Sequence, residues 1–157
     1  MIKIYFDNRQ SIIDIDQEIL NLLELVVEKS LEIEKYKGQY EVSISLVDNK
    51  EIKGLNQQYR GIDRETDVLS FPMGESFDLP IIPLGDIIIS VEQAVKQAKE
   101  YNHSLNRELA YLTGHSMFHL MGYDHEDVDD KKLMRSREKE LMRALGIFKC
   151  EKEEQDL

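Results

Sequence analysis

His115-Ser116-Met117-Phe118-His119-Leu120-Met121-Gly122-Tyr123-Asp124-His125 holds three of the four histidines of a 157-residue chain, and its spacing dictates how the elements around it must fold. Residues four apart on an α-helix lie one above the other, with Cβ atoms about 5–6 Å apart, so His115 and His119 can grip one ion. His125 is too far along for the same helical face, so the helix must stop and the chain double back. Gly122 supplies the stop, because without a Cβ it takes the left-handed conformation that ends helices, and Tyr123-Asp124 then carry the chain round. Neutral imidazole is the commonest protein ligand for zinc-like cations. Three protein ligands leave a fourth tetrahedral position for water or substrate, which is the catalytic rather than the structural arrangement. The expectation is one metal ion held by His115, His119 and His125.

All-nitrogen tetrahedral ligation suits Zn2+, although Ni2+ or copper would also bind such a set. Three neutral ligands leave the metal its full positive charge, enough to lower the pKa of bound water from about 16 to roughly 7. The pattern H-x-x-x-H-x-x-G-x-x-H shares its ligand and glycine spacing with the long zinc-protease motif H-E-x-x-H-x-x-G-x-x-H. It lacks the glutamate that serves those peptidases as general base; Ser116 stands there and cannot take a proton from water at neutral pH. A zinc peptidase of unusual type is therefore a weakened alternative.

The composition describes an ordinary globular chain, with 32% charged and 41% hydrophobic residues and no break to divide it, so residues 1–150 read as one domain. The tail over 151–157 is acidic and unpatterned and is expected to be disordered. No apolar run reaches the roughly 18 residues of a membrane span, and Met1 to Asp7 resembles a first strand rather than a signal segment. No membrane association and a cytoplasmic location are expected. The single cysteine, Cys150, has no disulfide partner in the chain. A net charge of −11 argues against generic binding to nucleic acid, yet six basic residues and two acids between Lys131 and Arg143 give that segment a local charge of 6 − 2 = +4.

Working outward from the histidines, Ser104 caps a helix running through Leu105, Leu109 and Leu112 to His119, and Asp127 or Asp129 starts a last helix. Its apolar positions read as Leu133, Met134, Leu141, Met142 and Leu145, with Gly146 as the stop. Asp14 or Asp16 caps a first long helix whose stripe is Ile19, Leu22, Leu23, Val26, Val27 and Leu31. Tyr40 to Val47 alternates as a half-covered strand, and Asp48 with Glu51 forms a capping box opening a helix that ends near Tyr59. A charged connection, Arg60 to Asp67, leads to a short strand from Val68 stopped at Pro72. Leu84 to Ser90 reads as an interior strand, and Ser90 with Gln93 caps a helix to about Tyr101. The order β, α, β, α, β, loop, β, α, α, α predicts an α+β fold, a small mixed β-sheet of about four strands packed with about five helices.

These residues resemble one bacterial family, the YbeY-type endoribonucleases and rRNA maturation factors, whose motif runs H-G-x-L-H-L-x-G-Y-D-H. His115, His119, Leu120, Gly122, Tyr123, Asp124 and His125 fit it in order. Upstream, Leu55-Asn56 with Tyr59-Arg60-Gly61, Asp63 and Thr66 to Pro72 looks like a second family motif, followed by Gly85-Asp86-Ile87. Ser116 and Phe118 depart from the pattern, where the family has glycine and leucine. The resemblance implies a metal-dependent hydrolase (zincin-like) architecture. It also implies a zinc-dependent, single-strand-specific endoribonuclease acting in small-subunit rRNA maturation and ribosome quality control, with ribosomal proteins or an assembly GTPase as partners.

Arg60 is the candidate for phosphate recognition and hence the candidate catalytic residue, because a guanidinium fork fits phosphate oxygens bidentately and stays charged. Asp67, Asp86 and Asp124 are candidates to orient the metal-bound histidines. A second alternative is a non-catalytic ribosome assembly factor that docks through the Lys131 to Arg143 helix and uses its metal only for structure.

Overall fold

Val42, Ile44 and Leu46 alternate with Ser43 and Ser45 along β2 (Tyr40–Val47), and all three apolar side chains are buried while the serines are half-buried. That pleat makes β2 the hub of the sheet. The structure, a computed structural model, describes residues 2–74, 79–124 and 126–146. His125, Cys150 and the 151–157 tail thus lie outside the described residues.

β1 (Ile2–Asn8) and β4 (Ile82–Ser90) flank β2 in parallel, and β3 (Val68–Pro72) closes the far edge antiparallel to β4, giving the order β1-β2-β4-β3. Parallel neighbours need long crossovers. Helix α1 (Gln17–Ile33) provides the first, and α2 (Asn49–Arg60) with β3 the second. Helices α3 (Val91–Glu100), α4 (Leu105–Leu120) and α5 (Val128–Leu145) follow the sheet, completing the expected α+β arrangement of four strands and five helices.

The main core lies between one sheet face and helices α1, α3 and α4, where Leu23, Val27, Ile44, Ile87, Leu112 and Met117 are all at or near zero exposure. Burying each such side chain contributes about 1.5–3 kcal/mol. A second cluster of Val26, Ala110, Phe118, Met134 and Leu141 joins α1, α4 and α5. On the opposite sheet face Val47, Ile52 and Leu69 hold α2 down. Helix α4 is therefore packed from both sides, and its ends have little freedom.

The caps fall where side-chain chemistry demands. Asp16, Asp48, Ser90, Ser104 and Asp127 each accept a backbone N–H three residues on. Two expectations are corrected. The Asp48–Glu51 box forms only its first half, because the Glu51 carboxylate pairs instead with Arg9 at the end of β1. Leu133 is 47% exposed; the inward stripe of α5 is Met134, Glu138, Leu141 and Met142, so an acid occupies a position on the core face.

Gly85 sets how closely the elements around the histidine helix approach one another. Its φ is +146°, at the register irregularity between β2 and β4, and a Cβ there would collide with the Phe71 carbonyl on β3 and with Leu120 at the end of α4. Only glycine allows the sheet edge and the helix end to meet at this distance. Among the described residues, no helix is long and apolar enough to cross a membrane.

Candidate metal centre

His115 and His119 stand one turn apart on the last part of α4, with ring centroids 4.7 Å apart and planes at 83°. Each ring is held by its Nδ1. His115 Nδ1 lies 2.6 Å from Glu138 Oε1 on α5, and the other carboxylate oxygen accepts the Tyr111 hydroxyl at 3.0 Å. Tyr111 sits one turn before His115 and stacks against it, the two centroids 6.0 Å apart. The Glu138 side chain is only 8% exposed, and these two bonds offset the cost of burying its charge. Burial, and then the Glu138 charge, push the Tyr111 phenol well above its usual pKa, so it stays the proton donor of this pair.

His119 is oriented by backbone. Helix α4 ends in a Schellman motif: Tyr123 N–H donates to Phe118 O at 2.9 Å and Gly122 N–H to His119 O at 3.1 Å, with Gly122 at φ +103°. The reversal turns the Tyr123 carbonyl back over the helix, 3.0 Å from His119 Nδ1. The Tyr123 ring is fixed in turn. Its hydroxyl donates to the Glu34 carboxylate at the end of α1, 2.8 Å away, and accepts from Arg137 Nε at 3.1 Å. Thus α1, α4 and α5 all converge on the turn that follows Gly122.

The donor set fits a metal. With Nδ1 of each ring bonded to a carboxylate or a carbonyl, coordination would pass through Nε2, the arrangement usual for metal-bound histidine. Among the described residues no group of three His, Cys, Asp or Glu side chains could hold a metal ion, since His115 and His119 make a pair and His125 lies outside them.

A cleft of about 650 Å³ opens beside His119, lined by Arg60, Ser70, Pro72, Asp124 and Glu126 among others. Arg60 reaches it because α2 ends at that residue, with Gly61 in the left-handed conformation behind it. It is both the basic residue of the last helical turn and a wall of the cleft. Ser116 is fully buried, with its hydroxyl 2.9 Å from that of Ser70 on β3, itself a wall of the cleft. The Ser116 hydroxyl thus ties the histidine helix to the sheet edge.

The three aspartates expected behind the histidines are not the Nδ1 partners of His115 or His119. Asp67 accepts from its neighbour Val68 N–H at 2.8 Å and from Gln97 at 3.3 Å, in a half-buried network with Glu108 and His103. Asp86 sits within β4 opposite Ser43 and Phe71, and Asp124 lines the cleft. The carboxylate at His115 Nδ1 is Glu138, on a helix whose net basic charge masks it. Its signal was an acid on the Met134, Leu141, Leu145 stripe, at core spacing.

A sequence model described as Endoribonuclease YbeY matches residues 5–146. Curated relatives of that name include one from Thermoanaerobacter sp. (strain X514), 48% identical over 157 residues and covering 92% of this chain and 98% of the relative. Another, from Clostridioides difficile (strain 630), is 46% identical over 145 residues, covering 90% and 95%. The solution structure of a Thermotoga maritima protein matches with a TM-score of 0.57 at 33% identity, covering 92% of this chain and 91% of that one. This likeness is consistent with the zincin-like architecture expected. The family match spans nearly the whole chain and includes the histidine helix, its glycine stop and Arg60, so the chain belongs to the YbeY family.

Proposed function

We propose that the protein is a metal-dependent endoribonuclease that cuts single-stranded RNA in small-subunit rRNA maturation and ribosome quality control, in the cytoplasm, with Zn2+ as its ion. Ribosomal proteins or an assembly GTPase would bring it to its substrate, since the net charge of −11 disfavours affinity for naked RNA. The observation that carries the reading is the pair of imidazoles held at Nδ1 by Glu138 and by the Tyr123 carbonyl, beside a cleft that contains Arg60.

His115 and His119, with His125, would hold the ion. When bound, zinc supplies a Lewis acid that neutralises charge developing on the phosphoryl oxygens. Arg60 binds and orients the scissile phosphate through its planar fork and stays charged throughout. Glu138 and the Tyr123 carbonyl keep both rings in the tautomer with Nδ1 protonated, and the Glu138 charge strengthens His115 as a ligand. Asp124 and Glu126 are the carboxylates of the cleft and hence the candidates to receive a proton from the attacking oxygen, whether from water or from the RNA 2′-hydroxyl. A cyclic phosphate on the product would identify the 2′-hydroxyl.

The peptidase alternative finds no support at Ser116, whose side chain is buried against Ser70 where a peptidase needs its glutamate in the cleft. The deciding experiment incubates a defined single-stranded RNA, and casein beside it, with the wild type and with His119→Ala, measuring bound metal in both. RNA cleavage that disappears with the metal in His119→Ala is expected. Undiminished cleavage by the variant, or cleavage of casein alone, would overturn the reading.

A further inference from the structure

A second concavity of about 590 Å³ adjoins the first cleft across His119, with Pro72 and Gly122 common to both walls. Its lining is of another kind. Leu84, Ile82 and Leu120 provide an apolar floor, Tyr36 and Tyr40 an aromatic wall, and Lys35 and Lys37 the cations of the rim, where the Glu34 carboxylate is taken up by the Tyr123 hydroxyl and Arg137. The two tyrosine rings are tilted by 42° with centroids 5.5 Å apart, so neither is covered face to face by the other.

The backbone here is costly to hold. Helix α1 ends in a Schellman motif, with Tyr36 N–H donating to Leu31 O at 2.9 Å and Lys35 N–H to Glu32 O at 3.0 Å. The residue forced into the left-handed region is Lys35, at φ +58°, where glycine would be relaxed. Keeping a lysine there sets its amine on the rim and Tyr36 next in the wall. The Tyr36 hydroxyl, 3.5 Å from Met121 O, touches the same turn that orients His119.

An apolar floor, an aromatic wall and flanking cations form the combination that recognises an unpaired nucleotide. The base stacks on the ring, and the lysines meet the adjoining phosphates. Resting on the endoribonuclease reading above, we propose that this concavity is a nucleobase subsite. One unstacked RNA base lies against Tyr36 and Tyr40, while the phosphate to be cut lies at Arg60 and His119. A base in a duplex cannot reach this wall without leaving its stack, so the subsite gives the enzyme its preference for single strands. Stacking tolerates every base, so little sequence preference is expected at this position.

The test uses the metal-loaded full chain and a short single-stranded RNA carrying one abasic nucleotide, moved through each position in turn, with binding read by fluorescence anisotropy and cleavage in parallel. The wild type should lose about tenfold in affinity when the missing base falls at one position beside the cut site. Tyr36→Leu, which keeps the apolar bulk, should lose about as much on intact RNA and become indifferent to the abasic position, while Tyr36→Phe behaves as wild type. Lys35→Gly relieves the left-handed strain, so it should melt no lower than wild type yet bind RNA more weakly. A flat abasic scan, or a Tyr36→Leu protein as sensitive to it as wild type, would remove the subsite and leave the nuclease reading intact. A wild type that neither binds nor cuts intact RNA would sink both. Unchanged affinity in Lys35→Gly would take Lys35 out of the rim.

Discussion

Glu138 Oε1 lies 2.6 Å from His115 Nδ1 across 23 residues of sequence, and the same carboxylate accepts the Tyr111 hydroxyl with its other oxygen. Helix α5 thereby reaches into the histidine site from behind, and its one buried acid holds Nδ1 of His115, which leaves Nε2 as the nitrogen that would face a bound metal. Glu138→Ala should weaken metal binding by about 10- to 100-fold, the usual cost of losing a partner of a metal-bound histidine. It also leaves two donors without an acceptor, at about 1–3 kcal/mol each. Glu138→Gln keeps the shape without the charge and should fall between. Chelator competition with a zinc indicator measures the affinities, and an unchanged affinity in Glu138→Ala would separate the carboxylate from the metal.

Arg60 closes the cleft from the end of α2 and touches neither histidine by hydrogen bond or ion pair. Replacing it with alanine should lower kcat/KM on RNA by about 10- to 100-fold, the worth of one charge-assisted contact to phosphate, while metal content stays at the wild-type level. Arg60→Lys restores charge without the fork and should recover only part of the loss. A fully active Arg60→Ala protein would take the residue out of the mechanism.

Gly122 has open space around the position of a Cβ, so its substitution is penalised by backbone alone, at φ +103°. Gly122→Ala should cost about 1–2 kcal/mol, which for a domain of this size lowers the melting temperature by roughly 2–8 °C. Because the same turn carries the Tyr123 carbonyl, zinc affinity should fall with it. Calorimetry and metal titration on one preparation test both. Stability lost with zinc affinity unchanged would show that the carbonyl does not orient His119.

The raised pKa of Tyr111 has a pH signature. A group that holds its proton more tightly when folded adds stability that is complete below the unfolded value, here 10.0, and lost as pH rises past it. Unfolding by urea in the metal-free protein should therefore show stability falling above about pH 10, and Tyr111→Phe should flatten part of that slope. Identical alkaline slopes in the two proteins would contradict the buried Tyr111–Glu138 pair.

The elements themselves were legible because they rest on local physics. The 3.6-residue period of α1, the alternation of β2, and caps at Asp48, Ser90 and Ser104 each satisfy orphan groups within a few residues, so a linear chain displays them. The juxtaposition of His115 and His119 follows from the pitch of one helix, and the reversal at Gly122 from the absence of a Cβ. What supports and surrounds them was not legible. Glu138, the Tyr123 carbonyl, Arg60 and the Tyr36 wall come to α4 from four other segments, and Asp67, expected behind the histidines, accepts instead from Val68 N–H and Gln97. Periodicity tells which face of α5 turns inward, but not that an acid on that face meets a histidine; only packing α5 across α4 decides it. The chain alone therefore determined the pair of imidazoles and the stop behind them, because both depend on spacing along one backbone. Their partners, and the clefts on either side, were decided by tertiary structure, because contacts between distant segments exist only once the core has closed.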